Sequence, residues 1–109
     1  MRPPRLLVFV AAAFLSLPAF AGWEGSFKVN ALHAGHGPAE FYVFVNGTTS
    51  CGPSVYKFSA PQDPSGKMLT RAYAAALSAL LNGKALTFYV DQGCDANKFA
   101  LFSAIEIAP

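Results

Sequence analysis

Charge is sparse in this sequence: Asp, Glu, Lys and Arg make up 13% of it. A nucleic-acid-binding surface needs clustered cations, and no such cluster occurs, so nucleic acid is set aside as a partner. Catalytic signatures are missing as well. There is no Gly-x-Ser-x-Gly elbow, no His-Glu-x-x-His and no Gly-rich phosphate loop. The two histidines share one loop, and there are only two cysteines. Nucleophilic catalysis needs a Ser or Cys with a base in reach, so the sequence is not expected to encode an enzyme. No apolar run reaches the roughly 20 residues of a membrane-spanning helix, and no repeat or low-complexity tract follows Gly22.

What is present begins with a leader. Arg2 and Arg5 precede an apolar run from Leu6 to Leu17, and Ala19-Phe20-Ala21 supplies small residues around a cleavage point. This is the three-part pattern of a secretory signal peptide. The expectation is a cleaved segment 1–21, a mature domain over 22–109, no stable membrane anchor, and a periplasmic or secreted protein. Arg2 and Arg5 leave with the leader, so Lys+Arg fall from 8 to the same 6 as Asp+Glu. A domain this small buries about 60–65% of its unfolded surface, a marginal core. Export to an oxidising compartment makes Cys51 and Cys94 partners in one disulfide. Closing that loop restricts the unfolded chain by about 4 kcal/mol in a chain-entropy treatment.

Apolar periodicity gives the elements. Period two marks strands over about 25–32, where Phe27, Val29 and Ala31 alternate with Ser26, Lys28 and Asn30, and over 86–90 and 99–107. Residues 40–46 are β-branched and aromatic throughout, as in a strand buried on both faces or lying at an intersubunit surface. A short strand covers about 54–58. From Ser65 the period becomes 3.6, with Leu69, Tyr73, Ala76 and Leu80 on one stripe. Asp63 is positioned to cap that helix with Pro64 in its first turn, and Asn82-Gly83 to end it. Asn46-Gly47 reads as turn chemistry. Residues 91–98 form a hairpin loop tied back by Cys94.

Three strands, one helix and two strands is the element order of an OB-fold. The expected class is therefore mainly β (α+β), a five-stranded Greek-key barrel with its helix between strands 3 and 4. An open sheet covered on one face by the helix fits the same string.

Several short segments carry a resemblance. Trp23-x-Gly25, Leu32-His33-x-Gly35, Phe41-Tyr42-Val43, Cys51, and Leu77-x-x-Leu80-Leu81-x-Gly83-Lys84 resemble the small B subunits of subtilase-cytotoxin and pertussis-like toxins, and related small exported bacterial proteins. The resemblance implies an OB-fold, secretion and, in the toxin members, a pentameric ring that binds sialylated glycans. The serine that grips the sialic acid carboxylate in that family falls near Gly25 or Ser26. The acidic residues around it are replaced by Phe27 and Lys28, so the family's glycan site is not carried over, and neither is the pentamer.

Aromatic residues are the class in excess. A small barrel has room inside for only some, and the remainder must line a surface. OB-folds use a platform on strands 2 and 3 to stack on sugars or bases. Period two sends Phe41, Val43 and Val45 to one face and Tyr42 and Phe44 to the other, which makes Tyr42 an outward residue with Tyr56 expected beside it. The candidate ligand-binding residues are Tyr42, Tyr56, Trp23 and Ser26, for a glycan or an extracytoplasmic protein. The alternative spends the aromatics on self-association, as a structural or assembly subunit forming a homo-oligomer. His33-x-x-His36 with Glu40 has the ligand types of a zinc site, but its Gly-rich loop does not force the rings to converge. Asp91-x-Gly93-x-Asp95-x-Asn97 lacks the terminal Glu of a calcium loop. No metal or cofactor is expected.

Overall fold

The computed structural model describes residues 21–34 and 40–108. The expected leader therefore lies outside the described residues apart from Ala21, as does His36. Strands β1 (Gly22–Ala34), β2 (Phe41–Val45) and β3 (Val55–Phe58) precede helix α1 (Lys67–Asn82), and strands β4 (Ala85–Cys94) and β5 (Ala100–Ile107) follow it. The strands form a sheet closed in a ring in the order β1-β2-β3-β5-β4. The protein is thus mainly β with one helix, and the open-sheet alternative is overturned. All neighbours pair antiparallel except β3 and β5, which run parallel with Tyr56 opposite Ala100.

Closure depends on β1. Its first half, from Gly22 to Lys28, pairs with β4, and its second half, from Val29 to Ala34, pairs with β2. It is longer than the expected 25–32 because both halves have partners. The register shifts between Glu24 and Phe27 and again between Val29 and Ala31, as bulges do when they bend a strand around a barrel. The second shift moves the inward face off the expected phase: Leu32, not Ala31, packs against the core.

The core is built from the inward residues of every strand: Val29, then Phe41, Val43 and Val45, then Tyr56 and Phe58, then Leu86, Phe88 and Val90, then Ala100 and Phe102. The expected faces of β2 and β4 are the observed ones. The strand over 40–46 is not buried on both faces, however, since Tyr42 is half-buried and Phe44 is exposed. Helix α1 lays Ala72, Ala76 and Ala79 against the barrel. The expected stripe flanks this alanine seam, with Leu69, Tyr73 and Leu80 half-buried against the core. Small side chains let the helix axis approach closely, and Tyr73 then reaches the edge of Phe41 at 5.2 Å.

Asp63 does serve the helix start, but from further away than a first-turn cap. Its two carboxylate oxygens accept from the backbone N–H groups of Met68 and Leu69, each at 3.0 Å, so Pro64 lies before the helix. At the other end Gly83 adopts the left-handed conformation and its N–H donates to the Ala79 carbonyl, as a helix-ending glycine does. Asn46-Gly47 begins a longer connection over 46–54 instead of a two-residue hairpin. Gly47 fits a close approach there: a Cβ at that position would run into the Phe27 ring. The Cys51–Cys94 disulfide is present, with a sequence separation of 43, and joins this connection to the end of β4.

Candidate functional site

On the outer face of β2, Tyr42 lies between His33 of β1 and Lys57 of β3 in the sheet register. The turn after β4 folds over this face. Asp95 shapes that turn: its Oδ1 accepts from the backbone N–H groups of Asn97 and Phe99, both at 2.9 Å. This local side-chain-to-backbone bonding is what Asp offers in turns. The expected hairpin loop over 91–98 is therefore shorter, since β4 continues to Cys94, and Phe99 belongs to the turn and not to β5.

Phe99 is thereby set edge-to-face against Tyr42 at 5.6 Å, and His33 meets Tyr42 edge-to-face at 5.9 Å. Together with Phe44 and Asn97 they line a groove of about 280 Å³, close to the lower end of small-molecule sites, about 300–1,000 Å³. A fixed polar rim adjoins it. The Tyr42 hydroxyl donates to Glu40 Oε1 at 2.7 Å. The Lys57 ammonium sits 3.6 Å from both Glu40 Oε1 and Asp95 Oδ2 and 5.8 Å from the Tyr42 ring centre. The Tyr42 phenol is held above its ordinary pKa, first by the hydrogen bond to Glu40, then by desolvation and the negative charges of Glu40 and Asp95.

The structure separates the four candidate residues. Tyr42 is at the centre of the groove. Tyr56, expected beside it, is fully buried on the opposite face. The reason is register: Lys57 pairs with Tyr42, whereas Tyr56 pairs with inward-facing Val43. Its ring stacks on Phe88 at 3.8 Å, and its hydroxyl donates to Glu24 Oε1 at 2.9 Å. Burial, with Glu24 second, pushes that phenol well above its ordinary value. Trp23 is 54% exposed and packs on Tyr89, across the β1–β4 pair and outside the groove lining. Ser26 is exposed on the same half of β1, also outside the groove lining.

His33, Phe44, Lys57, Asn97 and Phe99 complete the site; the sequence places His33 and Asn97 only within metal-type patterns and does not single out Phe44, Lys57 or Phe99. Two signals pointed towards them. Lys57 is the one charged residue in an apolar strand, and Asp95-x-Asn97 has the composition of a side-chain-stabilised turn. Among the described residues no group of three or more His, Cys, Asp or Glu is arranged to hold a metal. The Asp91 carboxylate accepts from the Ser103 hydroxyl at 3.0 Å, while Asp95 faces Lys57, so the two carboxylates of the calcium-like pattern serve separate contacts. A second groove, of about 210 Å³, lies between α1 and β5 along Met68, Ala72 and Ile105. No helix among the described residues is long and apolar enough to cross a membrane.

No protein-family model matches the chain, and no curated protein matches it.

Proposed function

We propose that the protein is an exported, non-catalytic binding module of OB-fold type that holds a saccharide in the Tyr42 groove. The ring order β1-β2-β3-β5-β4 with the helix between β3 and β4 in the chain supports the OB reading and its Greek-key path. The disulfide supports an oxidising, extracytoplasmic location, in line with the leader expected over 1–21. The resemblance to toxin B subunits points to the same ligand class.

The observation that carries the ligand reading is the Tyr42–Phe99 pair. Its rings meet edge to face and line an open groove, beside hydroxyl, amide, carboxylate and ammonium groups. Sugar recognition uses that combination, a flat apolar surface with a few placed polar groups. Both cysteines are in the disulfide, the Tyr42 hydroxyl donates to Glu40, and Lys57 is flanked by two carboxylates, which supports the non-catalytic reading.

Binding of the protein over 22–109, singly and clustered on a multivalent support, to an array of glycans tests the reading. Tyr42→Ala is expected to weaken binding about two- to tenfold, the effect of losing an aromatic contact of about 0.5–1.5 kcal/mol. Trp23→Ala, outside the groove, is expected to leave binding intact. Clustered protein that binds no glycan, or binds undiminished after Tyr42→Ala, overturns it.

One observation favours a second reading, assembly or protein binding: Leu77 and Leu81 stand exposed one turn apart on α1, Leu81 at 74%. A native mass above that of one chain, returned to one chain by Leu81→Ser, would support it.

A further inference from the structure

The charges around the groove go further than the ligand class and, resting on that reading, select among saccharides. Lys57 carries the ion pairs of the rim, with the carboxylates of Glu40 and Asp95 each 3.6 Å from its ammonium. All three side chains are at most a quarter exposed, so their charges are screened less than those of free surface groups. His33, paired with Tyr42 from the β1 side, also lines the groove. In this rim a single ammonium is shared by two carboxylates.

The ammonium is committed to resident carboxylates. An incoming ligand carboxylate would have to displace one of them and would then lie close to the other. Hydroxyl and amine groups meet no such opposition. Asn97 brings an amide with both donor and acceptor to the groove.

We infer that the groove takes a saccharide carrying no acidic group, and that it disfavours sialylated and uronic acid glycans. Amine-bearing sugars bind at least as well as neutral ones. This specificity is opposite to that of the toxin subunits whose short motifs the sequence resembles.

The experiment uses the protein over 22–109 on an array in which each core glycan appears in neutral, acidic and de-N-acetylated form: lactosamine with and without sialic acid, glucose with glucuronic acid oligomers, and chitobiose with its deacetylated form. At pH 7.5 and 0.15 M salt the neutral member of each bound pair is expected to exceed the acidic one by about tenfold, the scale of a like-charge contact in a partly screened site. Glu40→Gln, which keeps an acceptor for the Tyr42 hydroxyl, is expected to reduce that ratio to about threefold. Raising the salt to 1 M is expected to reduce it in the wild type, because screening then acts within about 3 Å. Tyr42-dependent binding that is equal or stronger for the acidic members overturns this inference and leaves the saccharide reading standing. Absence of Tyr42-dependent binding to every member overturns both.

Discussion

Two tyrosines of neighbouring strands end on a glutamate in the same way and have opposite fates. Tyr56 donates to Glu24 at 2.9 Å inside the barrel, and Tyr42 donates to Glu40 at 2.7 Å on its outer face. Around Tyr56 the rings close the residue off from water. Phe88 stacks on it at 3.8 Å with 9° between planes, Phe102 meets it edge-to-face at 6.3 Å, and Phe27 lies tilted against it at 6.3 Å. Around Tyr42 the contacts with His33 and Phe99 are edge-to-face, and the residue stays half-exposed. A tyrosine–carboxylate hydrogen bond therefore does not by itself mark a binding site. In the barrel it satisfies a polar atom that burial would otherwise strand, while on the rim it orients a hydroxyl beside open ring surface.

If that division is right, removing aromatic mass inside and outside must cost different amounts. Phe102 touches Phe41, Phe58, Tyr56 and Phe88, so Phe102→Ala is expected to destabilise by about 3–5 kcal/mol in urea unfolding. Phe99→Ala, in the groove, is expected to cost under about 1.5 kcal/mol because the site is already open to water. Similar costs for the two would break the comparison.

The next effect concerns the disulfide, which fastens the groove's turn and not the interior. Cys51→Ser with Cys94→Ser is expected to lower stability by about 2–5 kcal/mol. Amide exchange should accelerate most at Asn97 and Phe99, next to Cys94, and least at Phe88 and Phe102. Uniform acceleration would mean that the cross-link supports the barrel as a whole.

The smallest effect sharpens the contrast between the two phenols. The folded pKa of Tyr56 is raised above the ordinary 10.0. Above about pH 10 the unfolded chain therefore releases this proton while the folded chain keeps it. Stability from this group is complete below pH 10 and falls above it by about 1.4 kcal/mol per pH unit. Tyr56→Phe is expected to cost about 1–2 kcal/mol at neutral pH through the lost hydrogen bond and to remove that slope. The Tyr42 phenol is raised as well, so the informative quantity is the difference between the two proteins in denaturant titrations at pH 9 to 11. An unchanged slope would show that Tyr56 is not kept protonated by the fold.

Much of this contrast was hidden in the sequence for a local reason. In β4, Leu86, Phe88 and Val90 alternate with Thr87 and Tyr89, so period two reveals the inward face. In β3 the order Val-Tyr-Lys-Phe offers apolar residues on both phases, and the inward side of a four-residue strand cannot be read from it. Tyr42 was legible as an outward residue because β2 is longer and Tyr carries a polar end. The rim was not, since Glu40, Lys57 and Asp95 come from three separate stretches and meet only when β2, β3 and the turn after β4 converge.

Local pattern alone was enough for the strand and helix periods, the Gly83 helix end, and the pairing of the only two cysteines, because each depends on residues a few positions apart or on a count. Ring closure, the bulges of β1, the inward turn of Tyr56 and the groove between Tyr42 and Phe99 were decided by tertiary structure. A one-residue shift in strand register exchanges the two faces of a strand, and register is set by partners far away in the chain.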